Sequence, residues 1–100
     1  MENENFSIGD IVQSKAGRDS GGYYIIIRMD GIFAYICDGD LRKADKPKKK
    51  KLKHLKSTFV RSEYAASKLS QGLKVTNAEL RRELEEFKDS FFTRCSSKSG

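Results

Sequence analysis

Tyr23–Met29 (YYIIIRM) and Ile32–Cys37 (IFAYIC) are two runs of aromatic and β-branched residues separated only by Asp30-Gly31. Such residues fit a pleated, half-buried surface. An Asp-Gly pair between two runs of this kind is the strongest short-range hairpin signal, because both residues tolerate the positive φ that a type I′ turn requires. The hairpin commits the chain to a fold containing an antiparallel sheet. Ile11-Val12, after Gly9-Asp10, predicts a short strand before it, and residues 15–22 (KAGRDSGG) have loop chemistry. Asp38-Gly39-Asp40 marks a further turn, and Leu41–Ala44 offers the start of a fourth strand. His54–Val60 (HLKSTFV) reads as a closing strand with Leu55 and Phe59 on one face, although its spacing also permits a helical turn.

Past residue 60 the apolar spacing changes to a period near 3.6. Ser62–Gln71 is a short helix candidate with Gly72 as its C-cap. Thr76 opens a second helix: Thr76 and Glu79 have capping-box spacing, and Val75 and Leu80 the spacing of a hydrophobic staple. Leu80, Leu84, Phe87 and Phe91 then recur along one face. That face is either core or a protein contact. The final TRCSSKSG reads as disordered. The expected architecture is mainly β with C-terminal helices. About five short strands form a small barrel over 1–60, and two helices form an extension over 61–100. At 100 residues the chain supports one modest core.

Charge is distributed unevenly. Residues 1–41 hold three Lys/Arg against seven Asp/Glu, and residues 57–100 eight against six, whereas residues 42–56 hold nine against one. A focused patch of one sign attracts polyanions more strongly than the same charge spread evenly. Within it, KPKKKKLK (46–53) reads as an extended cationic loop, which Pro47 keeps out of a central strand or helix interior. Lysines act as point charges suited to the phosphate backbone, not to base edges, so affinity should fall steeply with salt. The same run also fits a solubilising loop or a nuclear-import signal.

Two stretches carry the chemistry. The first is Gly9-Asp10-Ile11-Val12 followed by Ser14-Lys15-Ala16-Gly17-Arg18-Asp19-Ser20-Gly21. There Gly17 lets a phosphate backbone approach, and Lys15 and Arg18 flank it with charge. A plain tight loop between strands reads equally well. The second is Asp38-Gly39-Asp40-Leu41-Arg42-Lys43 followed by the lysine run. In this order the two resemble small bacterial KOW-domain proteins, which are similar to KOW-containing large-subunit ribosomal proteins of archaea and eukaryotes. The resemblance covers about residues 7–60 and the helix start at 74–79. It implies an SH3-like barrel that binds RNA, rRNA on the ribosome in particular; the expected cytoplasmic location rests instead on the lack of a visible secretory signal and on cysteines that read as free thiols in a reducing compartment. Ribosomal or transcription proteins are further partners it implies. FKDSFFTRCSSKSG departs from the pattern.

The RNA contacts expected from these readings are Lys15, Gly17, Arg18, Arg42, Lys43, Lys46, Lys48, Lys49, Lys50, Lys51, Lys53, His54 and Lys56. Tyr23, Tyr24 and Tyr35 are candidates for base stacking, while Phe33 reads as core. His54, the only histidine, is read as a polar flank to the lysines. Cys37 and Cys95 are distant and outside any CxxC pair, so they read as free thiols. Asp38 and Asp40 read as a hydrogen-bonded turn, not a metal pair. No nucleophile–base pair, phosphate-cradling loop or metal set stands out, so no enzyme activity, cofactor or metal is expected. No apolar stretch approaches the length of a membrane span, and no secretory signal is visible. The alternative to RNA binding is a protein-interaction adaptor using the apolar face of the second helix.

Overall fold

The computed structural model describes residues 6–15 and 21–99, with side chains given up to residue 90. Five strands precede two helices: β1 (Asp10–Ser14), β2 (Tyr23–Asp30), β3 (Phe33–Cys37), β4 (Lys48–Lys51), β5 (Leu55–Arg61), α1 (Glu63–Ser70) and α2 (Asn77–Ser99). The strands form one antiparallel sheet in the order β4-β3-β2-β1-β5. A single turn of 3-10 helix, Leu52–His54, joins β4 to β5. β5 returns to pair with β1, as a small barrel requires. The barrel is not closed, because β4 and β5 remain the two edges.

The β2–β3 hairpin is present, but its turn differs from the expected one. Asp30 still pairs with Phe33, so the two centre residues are Gly31 and Ile32. Only Gly31 has positive φ, at 62°. Glycine first, with the second residue in the ordinary region, is the type II′ pattern and not I′. β3 accordingly starts at Phe33, one residue later than predicted.

The fourth strand is not Leu41–Ala44. That segment folds into turns organised by Asp38, whose Oδ1 accepts the N–H groups of Asp40 (2.9 Å) and Arg42 (2.8 Å). The Arg42 carbonyl accepts those of Asp38 and Gly39 (2.9 and 3.0 Å). The two aspartates therefore bracket a hydrogen-bonded turn. A Cβ at Gly39, φ 81°, would collide with the Asn77 carbonyl oxygen, so this turn can lie against the start of α2 only with glycine there.

The fourth strand is instead the lysine run, whose sequence predicts a loop. Lys48–Lys51 pairs with Phe33–Ile36. Pro47 permits this because it stands just before an edge strand, where its missing N–H costs no ladder bond. Lysines suit an edge, since their charge discourages pairing with foreign strands.

Alternation along the strands builds two cores. Ile11, Ile25 and Cys37 face one way and pack with Ala65 of α1, with Val75, and with Leu80, Leu84 and Phe87 of α2. Val12, Tyr24, Ile26, Ala34, Ile36 and Leu55 face the other way and pack together. The middle of β2 is thus covered on both faces, which is why it reads as a continuous apolar run and not an alternating one.

Both helices begin as predicted. The Ser62 hydroxyl accepts the Ala65 N–H (3.1 Å), and Gly72 follows α1 with φ 80°. The capping box is reciprocal: Glu79 N–H donates to Thr76 Oγ1 (3.2 Å) and Thr76 N–H to Glu79 Oε1 (2.9 Å). Val75 and Leu80 are both buried beside it. The tail expected to be disordered continues α2 to Ser99, as no glycine or proline interrupts residues 73–99.

β5 is a strand, but Leu55 and Phe59 do not share a face. Val12 pairs with Ser57 while Ile11 pairs with Val60, so Thr58 and Phe59 bulge out of register. Leu55 is buried, and Phe59 is 85% exposed. With φ 63°, Phe59 is the one non-glycine residue of positive φ among the described residues.

Candidate nucleic-acid interface

Because β4 is a strand, its four lysines divide between two faces. Lys48 lies opposite Ile36 and Lys50 opposite Ala34, so both share the side of the second core and are half-buried. Lys49 lies opposite Tyr35 and Lys51 opposite Phe33, and both are exposed on the other side. β2 adds to that side, since Arg28 pairs with Tyr35 and Asp30 with Phe33. The result is two rungs across three strands, Arg28–Tyr35–Lys49 and Asp30–Phe33–Lys51.

Cations lie against both rings. Lys49 Nζ stands 4.4 Å from the Phe33 centroid, and Arg28 Cζ 5.4 Å from the Tyr35 centroid. Contacts of this type contribute roughly 0.5–1 kcal/mol each at exposed sites. Phe33, expected in the core, is half-buried on this outer surface, because the core residues of β3 are Ala34, Ile36 and Cys37.

The other predicted cations fall in turns and on the neighbouring edge. Lys43 and Lys46 are exposed and Arg42 half-buried in the segment before β4, with the Lys46 N–H on the Lys43 carbonyl (3.0 Å). Lys53 and His54 belong to the 3-10 turn. The Lys15 N–H donates to the His54 carbonyl (2.9 Å). This bond joins the start of the glycine loop to the end of the basic segment. Lys56 is exposed opposite Gln13. Gly17 and Arg18 lie outside the described residues.

Two expected stacking residues have other partners. Tyr24 is 3% exposed inside the second core. Tyr23 packs edge-on against Phe87, centroids 5.3 Å apart. Only Tyr35 of the three sits beside the lysines. Leu80, Leu84 and Phe87, offered as a protein contact, are buried against the sheet, so that face is core. The Phe91 side chain lies outside the described residues.

Sequence reasoning missed Arg28 and misplaced Phe33. Counting by twos from the buried Ile36 would have put Phe33 and Tyr35 outward together. The register that brings Lys49 beside Tyr35 follows only once the lysine run is recognised as a strand.

Cys37 is a free, buried thiol, pushed up to about 12 by burial and by the neighbouring Asp38 charge. It is therefore a packing residue and not a nucleophile at neutral pH. The Cys95 side chain lies outside the described residues.

No protein-family model matches the chain, and a search of curated proteins finds no match. The fold itself defines a structural class: a mainly-β unit with a five-stranded antiparallel sheet and two C-terminal helices. Among the described residues no helix is long and apolar enough to cross a membrane.

Proposed function

We propose that the protein is an RNA-binding module of the KOW type, acting on ribosomal RNA in the cytoplasm by holding phosphates without a chemical step. The observation that carries this reading is the placement of exposed Lys49 and Lys51 beside aromatic rings, within the segment that concentrates the positive charge. Charge on a sheet edge addresses a phosphate backbone from one side, and each phosphate neutralised releases condensed counterions. Lys15, where the glycine loop of the sequence starts, is hydrogen-bonded to the end of the same segment and adds an exposed cation there.

The test is anisotropy titration of a labelled rRNA hairpin across a salt series, with sedimentation of the chain with purified ribosomal subunits. In the Lys49→Glu/Lys51→Glu variant, affinity falls and the slope of log K against log salt shallows by about 1.5, as expected for two lost phosphate contacts. A charge-matched control, Lys74→Glu/Lys88→Glu, alters exposed lysines outside β4 and retains most of the affinity. Equal losses in both variants would reduce the interaction to net charge and end the reading.

A further inference from the structure

We propose that Phe33 and Tyr35 form a stacking platform for two successive unpaired RNA bases, with Arg28, Lys49 and Lys51 holding the flanking phosphates. This inference rests on the RNA reading above and narrows its ligand from RNA in general to a single-stranded segment.

Three observations carry it. Phe33 and Tyr35 are alternate residues of one strand, so their rings leave the sheet on the same side. Alternate positions on a strand are separated by about 6.7 Å, whereas stacked bases in a duplex rise only about 3.4 Å per step along each strand. The spacing therefore suits bases that have come apart, each lying on its own ring. A duplex keeps its base faces inside the stack and cannot use such rings, while splayed bases readily stack on aromatic side chains and on guanidinium planes.

The second observation is charge. The two rungs bring three cations and one anion, Asp30, to this side of the sheet. Both outer ends, at β2 and β4, carry exposed basic side chains, so a backbone crossing the platform meets positive charge on either flank. The third is the state of the rings. Each already has a cation against it. A phosphate that draws the Lys49 ammonium aside exposes the Phe33 face for a base. At Tyr35 the Arg28 guanidinium is itself a planar surface on which a base can stack.

The experiment uses the full chain with two probes of equal length. One is a single-stranded RNA of ten nucleotides carrying adjacent 2-aminopurines, and the other a fully paired RNA duplex. The single strand binds at least tenfold more tightly than the duplex, and its 2-aminopurine fluorescence changes on binding. Phe33→Leu/Tyr35→Leu keeps apolar bulk, and its thermal melt reports that the chain still folds. The variant loses about tenfold or more in single-strand affinity, the scale of base–aromatic stacking, and its salt slope is unchanged. Equal affinity for the two probes, or a folded variant that binds the single strand like the parent, overturns the platform and leaves phosphate binding standing. A poly-glutamate peptide bound as tightly as the single strand also overturns it. A chain that binds neither RNA at low salt removes the underlying reading as well.

Discussion

Phe59 shows how one residue can be held against its own preference. A bulky aromatic at φ 63° is a steric outlier, and left-handed backbone costs a non-glycine residue roughly 1–2 kcal/mol. Local bonds hold it there. Its N–H donates to the Ser57 hydroxyl (2.9 Å), the Val60 N–H to the Thr58 hydroxyl (3.3 Å), and that hydroxyl in turn to the Ile11 carbonyl (2.7 Å). The ring is exposed and fills no core site. Phe59→Gly is therefore expected to stabilise the fold by about 0.5–1 kcal/mol, the relief of strain less the extra chain entropy of glycine. Chemical denaturation measures it, and a loss of stability would mean that the exposed ring makes contacts that matter to the fold.

Among the elements, the junction of the two helices has a defined electrostatic lock. Glu79 accepts from the Tyr64 hydroxyl, the Thr76 N–H and the Lys68 ammonium (3.1 Å to each oxygen). Together these hold its carboxyl down from the ordinary 4.5 to about 2, with the Tyr64 hydrogen bond the largest cause. A depressed carboxyl stabilises the fold fully above its unfolded value. The contribution fades as pH falls from about 4.5 towards 2, where the folded form also protonates. Thermal melts between pH 6 and 2 should therefore show less acid loss of Tm in Glu79→Gln than in the parent, from a lower starting point at pH 6. Both helix starts were legible in advance because a cap is a matter of three or four consecutive residues. The hairpin was legible for the same reason, and only its turn centre slipped by one residue. β4 was hidden because Lys48–Lys51 has no apolar alternation at all. Its strand character comes from the ladder offered by β3, a partner more than ten residues away, and tertiary context of that kind overrides local preference. The bulge at Phe59 was hidden likewise, being a property of how β5 pairs with β1.

At the scale of the molecule, sheet and helices share one cluster of buried side chains, so residues 61–90 complete the core and do not merely extend it. Leu84→Ala removes a side chain that is 4% exposed and is expected to cost about 2–4 kcal/mol. If the shared core makes one cooperative unit, the tyrosine signal of the sheet, read in a Tyr64→Phe background that removes the one helical tyrosine, and the far-ultraviolet signal of the helices should shift together in this variant. Two separated transitions would show instead that the helices come off first. The surface was less readable than the core from sequence, because which cations stand beside Phe33 and Tyr35 depends on strand register and not on spacing along the chain. That same register makes the lysine-bearing β4 an edge of the sheet among the described residues, where like charges on two copies repel each other. Ionic strength weakens such protection. Concentrated salt therefore lowers the electrostatic barrier to edge-to-edge contact between copies, so the lysines proposed to hold an acidic ligand would also help to keep the protein from sticking to itself.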